Sequence, residues 1–400
     1  MFYGHDQQLY TRINPIAREY ILDKLEGNSS YKIIEYLDAF DFDNSDMKTW
    51  TTLCNQLSNG ILSIIGYINA DDLDWLPSFC STYQIPFISL NNHYKQTNYT
   101  ISLMPDVLPA LISLIRHYQI KNLVYIYDDV NGGDRLKQLL KIQTSNTIQN
   151  LNVISRYLDY AEDAYDLLHN VEVVTSIPTK ILTSTNVNHK APGRYIVLDF
   201  RSFDTYRIFM NKIKHRGMTT SDYHYILLTL NAKQLDMTYF RYGGVNVTFF
   251  DLPMYNDKQT KENYFDLLQR EKLYSVESLL IADAWETFIR TINRMFNTST
   301  NDFNRKLKIF QRDRSNQEFL SNRDCKNQFI QSSSSGSIYF DYLLNTSFHG
   351  LTGHVQFSNI TGQRINYTFD LYRVTRNAMP KQIGTFRAPN TLEVRFEFSN

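Results

Sequence analysis

Three aspartates in this 400-residue chain stand where α/β proteins place binding groups. Asp128 and Asp129 follow the strand-like run 123–127, and Asp199 falls near the end of the run 195–200. Loops at the C-terminal ends of parallel strands face a crevice, so carboxylates there can meet a cationic group. Capping of the following helix is the alternative, and for Asp128-Asp129 it is the favoured one. His349 and His354 bracket Gly350 and Gly353, a spacing open in principle to a metal but better read as a turn with two exposed imidazoles. Gly132-Gly133 and Gly243-Gly244 lack the spacing of a phosphate loop and read as turn glycines. Neither HExxH nor GxSxG occurs, and no nucleophile stands at a readable spacing from a base. The expectation is a protein that is not an enzyme and uses no cofactor and no metal.

The cysteines Cys54, Cys80 and Cys325 form neither a CxxC pair nor a zinc spacing. They read as buried or free thiols, with one long-range disulfide and a spare thiol as the sharper reading. Seven Asn-x-Ser/Thr sequons occur, at Asn28, Asn98, Asn246, Asn297, Asn345, Asn359 and Asn366. With 35 Asn and 60 Ser and Thr in the chain, chance supplies about five. Seven therefore does not by itself place the protein outside the cell.

Composition sets the frame for these groups. Lys and Arg total 41, as do Asp and Glu, so the basic excess expected of a nucleic-acid binder is missing. With 42% hydrophobic residues the chain can bury a core, and only 15 Gly and 10 Pro argue against linkers or low-complexity arrays. The longest apolar run, 61–68, falls far short of the roughly 18 residues that span a bilayer. His5 and Asp6 interrupt the start, so no signal peptide is legible.

Periodicity supplies the elements that must hold the candidate groups. Helices are expected over 15–26, 50–59, 73–83, 107–119, 134–142, 203–215, 257–272 and 276–296, and strands over 61–68, 85–90, 123–127, 195–200, 223–230 and 245–252. This alternation means parallel sheets covered by helices, and so many strands favour two α/β lobes. Runs at 355–357, 366–369 and 381–383 read as added antiparallel strands. The polar stretch 301–337 reads as a surface loop, and 169–192 as an irregular insertion.

Several segments in order carry a family resemblance. They are Trp50-Thr-Thr-Leu-Cys54 through Gly60, Ile64-Ile65-Gly66-Tyr67, Ser78-Phe79-Cys80, Pro86-Phe-Ile-Ser89, Tyr125-Ile-Tyr-Asp128, Arg241-Tyr-Gly243-Gly244, Gly350-Leu-Thr-Gly353-His-Val-Gln-Phe357 and Gly362-Gln-Arg-Ile-Asn366. The series resembles the amino-terminal domain of ionotropic glutamate receptors, the AMPA type most closely and the kainate type next. The resemblance implies an α/β, bilobed periplasmic-binding-protein type I (leucine-binding-protein-like) clamshell with two mostly parallel sheets flanked by helices and three interlobe crossovers. Lobe 1 would hold 1–116 and 253–347, lobe 2 would hold 117–252 and 348–388, and 389–400 would begin a linker to a ligand-binding domain.

The resemblance also implies roles. Cys54 would pair with Cys325, leaving Cys80 unpaired. Leu53, Leu57, Leu73, Leu76 and Phe79, on two lobe 1 helices, would centre a two-fold dimer; packing on the lobe's own sheet is the competing reading. Ser89, Asn91, Tyr127 and Asp128 would face a ligand if the interlobe cleft holds one. The family begins with a lobe 1 strand for which Met1-Phe-Tyr-Gly4 leaves almost no room, so the expectation is a chain cut at both ends. The implied function is an extracellular, postsynaptic receptor module that directs homo- or hetero-oligomeric subunit assembly, modulates a glutamate-gated cation channel and contacts synaptic proteins. A module binding an amino acid is the alternative.

Overall fold

A computed structural model describes residues 7–25, 53, 62–67, 75–92, 98–144, 151–176, 194–253, 261–297 and 334–394. By its contacts the chain divides into two compact units, Met1–Pro105 with Met254–Tyr367, and Asp106–Pro253 with Thr368–Asn400. The chain passes between them three times. These bounds differ from the expected ones: 106–116 falls in the second unit and 348–367 in the first.

In the first unit, short apolar strands β1 (Ile64–Gly66), β2 (Phe87–Ser89) and β3 (Thr100–Ser102) form a parallel sheet in that order. Helix α1 (Gln7–Lys24) begins eight residues before the expected start, so Pro15 lies inside it rather than at its first turn. Its buried Ile13, Ala17 and Ile21 pack on α8 (Val276–Asn297), and Trp285 Nε1 donates to the buried Asn14 Oδ1 at 2.7 Å. Helix α2 (Trp75–Tyr83) turns Leu76, Phe79, Cys80 and Tyr83 onto a core with Leu53, Ile64, Ile85 and Phe87. Helices α7 (Lys261–Arg270) and α9 (Ser334–Leu344) complete the helical set described here. Residues 334–337 of the expected loop 301–337 are helix, because the buried Tyr339 and Leu343 draw a serine-rich start into one; the rest of that stretch lies outside the described residues.

A hairpin, β9 (Ser347–Gly350) and β10 (Gly353–Gln356), follows α9. Its turn is held by the buried Asp283 of α8, which accepts the N–H of Leu351 at 2.6 Å, the N–H of Thr352 at 2.9 Å and the Thr352 hydroxyl. Arg364, also buried, donates to the Leu103, Thr352 and His354 carbonyls and to Thr352 Oγ1. His349 and His354 face each other across this ladder with ring centroids 4.8 Å apart. His349 is exposed and His354 half-buried, so only one imidazole has the exposure expected of both.

The second unit is built on one eight-stranded sheet, ordered β13-β12-β11-β8-β7-β6-β4-β5. Strands β4 (Asn122–Tyr127), β5 (Asn152–Tyr157), β6 (Arg194–Asp199), β7 (Tyr223–Leu227) and β8 (Asn246–Asp251) run parallel. Strands β11 (Thr368–Val374), β12 (Pro380–Arg387) and β13 (Thr391–Val394) add an antiparallel meander on β8. Residues 391–394, expected to be linker, are therefore sheet. Helix α3 (Leu108–His117) joins this unit, touching β13 and α4 (Val130–Thr144). Helix α5 (Ala164–Ser176) occupies the start of the stretch expected to be irregular. Helix α6 (Phe203–Arg216) has both ends sealed: Ser202 Oγ accepts the N–H groups of Asp204 and Thr205, and Gly217 closes it at φ 75°.

Candidate functional site

Strand β4 sits between β5 on one side and β6 on the other. The chain leaves β4 for β5, then crosses to β6 on the opposite flank. The loops after β4 and β6 therefore diverge, which makes this the switch point where open α/β sheets form a crevice. The register sets Tyr127 level with Asp199, so the carboxylates singled out in the sequence meet there.

Asp199 is committed to the interior. Arg135 of α4 grips both its oxygens, with Nε 2.8 Å from Oδ2 and Nη2 on Oδ1. The buried Tyr125 donates its hydroxyl to Asp199 Oδ2 at 2.5 Å. A two-pronged guanidinium–carboxylate contact of this kind is among the strongest ionic hydrogen bonds. Asp129 is a helix cap: its Oδ1 accepts the Gly132 N–H at 2.7 Å and its Oδ2 the Asn131 side-chain amide at 3.2 Å. Gly132 is needed there, because a Cβ would lie 2.8 Å from Tyr127 Cβ. The glycine pair thus sits in the first turn of α4 rather than in a free turn.

Asp128 does neither job. It is half-buried, and its Oδ1 accepts the Arg201 N–H at 2.8 Å from the loop after β6. Burial pushes its carboxyl up to about 6; the Arg201 N–H opposes this, and Asp129 and Asp199 add to it. A carboxylate in this condition gains most from an approaching cation. Beside it, the half-buried Tyr127 meets Tyr157 edge-on at 5.3 Å. Tyr206, buried beneath, donates to the Leu198 carbonyl and accepts the Phe200 N–H, which braces the loop after β6.

Ser89 and Asn91 lie in the first unit, at the C-terminal end of β2, and both are buried. Ser89 Oγ is 2.9 Å from both Asn91 O and Asn91 Oδ1, and Ser102 Oγ donates to Asn91 O at 3.2 Å. This turn spends its hydroxyls on itself. Asn92 Oδ1 and Thr100 Oγ1 beside it are buried without a hydrogen-bond partner among the described residues.

Three of the five residues expected at a dimer interface are described. Leu53, Leu76 and Phe79 are 0, 4 and 2% exposed and form part of the first unit's own core. Their apolar area is already removed from water, which matches the competing reading of packing on the sheet. The outward face of α2 carries Ser78 and Thr82 instead. Leu57 and Leu73 lie outside the described residues, as do Cys54, Cys325 and Asn28; Cys80 is a buried free thiol. Sequence reasoning missed Arg135 and Tyr125, since their partner Asp199 is distant in the chain and only strand register joins them. Among the described residues no group of His, Cys, Asp and Glu could hold a metal ion, and no helix is long and apolar enough to cross a membrane.

Comparison with known proteins agrees with this architecture. The family model described as receptor family ligand binding region matches residues 28–377. A protein named glutamate receptor from Lymnaea stagnalis is 23% identical over 396 residues, covering 96% of this chain and 39% of that protein. The chain thus spans about two fifths of the relative's length.

Proposed function

Since the chain belongs to the receptor family ligand binding region family, a periplasmic-binding-protein-like fold of type I, we propose that it is the extracellular amino-terminal module of an ionotropic glutamate receptor subunit, of AMPA type. Its work is to pair subunits, homo- or hetero-oligomeric, and to modulate a glutamate-gated cation channel at the postsynaptic membrane, with extracellular synaptic proteins as further contacts. It catalyses no reaction. The observation carrying this reading is the similarity to a glutamate receptor over nearly the whole chain. Pairing uses the first unit through the outer face of α2, where Ser78 and Thr82 are exposed.

Sedimentation at micromolar concentration tests the assembly role. Dimers are expected, and T82R is expected to shift them to monomers without lowering the melting temperature. A strictly monomeric wild-type chain would count against it.

A second reading rests on Asp128. Its half-buried carboxylate beside Tyr127, raised by burial to about 6 and ionised at neutral pH, suits the ammonium of an amino acid. Calorimetry with a panel of amino acids decides between the two: saturable heat that D128N abolishes supports this reading, and no heat leaves assembly as the function.

A further inference from the structure

The two ends of the second unit's sheet differ in charge. Four of its five parallel strands leave on aspartates: Asp128 and Asp129 follow β4, Asp159 follows β5, Asp199 ends β6 and Asp251 ends β8. Asp370, level with Asp251 on β11, joins that end. The opposite end is basic. Lys121 precedes β4, Arg194 opens β6, Arg241 lies in the loop entering β8, Arg376 in the turn from β11 to β12, and Lys381 is the second residue of β12. Strand register brings all five to that end: Leu123 pairs with Tyr195, Arg194 with Tyr223, His224 with Asn246, and Arg373 with both Thr248 and Lys381. In the order β12-β11-β8-β7-β6-β4 the row is broken at β7, where Asp222 stands. Lys and Arg equal Asp and Glu over the whole chain, so the row is a segregation of charge rather than the trace of a basic protein.

Lys121, Arg241, Arg376 and Lys381 are exposed, and Arg194 is half-buried. Among the described residues no carboxylate lies within ion-pair distance of Lys121, Arg241 or Arg376. An aromatic ring stands in the same row. Tyr242 is 77% exposed and holds φ 67°, a left-handed conformation that a bulky residue rarely adopts. The backbone around it is fixed. The Arg241 N–H donates to the Thr238 carbonyl at 3.1 Å, and the Val245 N–H to the Thr219 carbonyl at 3.2 Å. Gly243 packs so closely that a Cβ would lie 2.0 Å from the same Thr219 oxygen. The Arg241 guanidinium lies 4.8 Å from the centre of the Tyr242 ring. Costly backbone persists where its surroundings over-determine it, and here it holds a ring in solvent among cations.

We infer that this end of the second unit binds a sulfated polysaccharide of the extracellular matrix. Six neighbouring strands at about 4.8 Å each give the row a length of about 24 Å. Cations on successive strands match anions spaced along an extended chain, whereas a compact carboxylate would meet only one or two of them. A linear polyanion also gains by releasing the counterions it holds in solution. The Tyr242 ring selects a sugar over an acidic protein surface, because a pyranose offers a flat C–H face for an aromatic ring to cover. The aspartates at the other end repel the same ligand, so the charge pattern orients the sheet toward it.

The inference rests on the extracellular location proposed above, and the two are tested apart: purified chain reads the affinity, and labelling the surface of intact cells reads the location. The full chain is passed over immobilised heparin at about 0.15 M salt. Retention is expected, with elution as salt rises. R241Q/R376Q removes two cations of the row, and K137Q/R207Q removes two exposed cations elsewhere, on α4 and α6. The first should bind about tenfold more weakly or worse and lower the log–log salt slope by about two, and the second should bind as wild type. Y242A should weaken binding and leave the salt slope unchanged, since it removes no charge. Melting curves confirm that each variant is folded. A wild-type chain that passes through the column overturns the inference, as do equal losses in the two double variants. Polyglutamate bound as tightly as heparin, with Y242A without effect, overturns it too and makes an acidic protein the partner.

Discussion

Gly350 and Asp283 compete for one space: a Cβ built on Gly350 would stand 2.4 Å from Asp283 Oδ1, and the three nearest atoms all belong to that carboxyl. The glycine lets the hairpin turn close on the carboxylate, and the carboxylate then holds Leu351 and Thr352. Burial raises the Asp283 pKa and Arg364 opposes it, so the pair must stay matched. D283A should destabilise the first unit by about 3–5 kcal/mol, the cost of stranding a buried guanidinium. G350A alone should cost about 1–3 kcal/mol through overpacking. In the D283A background G350A should cost almost nothing, because its obstacle is gone. Denaturant melts of the four proteins check this, and simple additivity would refute the coupling.

Asp128 gives the second unit one kind of pH dependence. Its carboxyl titrates near 6 when folded, against about 4 when unfolded. Between those values the folded state holds more protons, so this group's contribution falls as pH rises through the window and is fully unfavourable above it. D128N keeps an acceptor for the Arg201 N–H and removes the charge. At neutral pH it should raise the melting temperature by on the order of 2 °C, after allowance for the solvent that reaches this carboxyl. The gain should vanish near pH 4, which a melting series over pH reads directly.

His224 works in the opposite direction. It is buried, with Nε2 2.7 Å from Thr248 Oγ1, its ring beside Tyr118 and Tyr195, and Arg373 close by. Burial, then Arg373, pushes its pKa down to about 3. An unfolded histidine titrates near 6.5, so between the two values the unfolded state holds more protons. Stability from this group is full above about 6.5 and is lost as pH falls. H224Q should flatten the acid limb of the stability curve, sparing on the order of a few kcal/mol by pH 4. An unchanged acid limb would mean that His224 is protonated in the folded state.

Much of the frame was legible because its signals are local. The spacing of Leu108, Leu111, Ile112 and Ile115 marks α3, and the apolar runs mark β4, β6, β7 and β8. Strand β5 escaped because an edge strand exposes Asn152, Ser155 and Tyr157 and so lacks an apolar run. Pro15 misled because a helix-starting residue here sits on the exposed side of an amphipathic helix whose buried side packs on α8. At the candidate site the aspartates were legible as strand-end groups. Their sorting was not: which one caps, which one pairs and which one is left depends on register and on Arg135. The motif Gly350-Leu-Thr-Gly353 is likewise silent until Asp283 is placed against it.

The cysteines allow a count that separates the readings. Cys80 is fully buried and burial pushes its thiol far up, so no thiolate forms for a reagent to attack. The resemblance assigns Cys54 and Cys325 to one bond, which would add on the order of 2–5 kcal/mol. Native secreted protein should then take up no maleimide. Unfolded without reductant it should take up one, at Cys80, and unfolded with reductant it should take up three. Three without reductant would remove the bond. One in the native state would instead mean that the core of Leu76, Phe79 and Ile85 around Cys80 opens to solvent, and hydrogen exchange across α2 would then show the same opening.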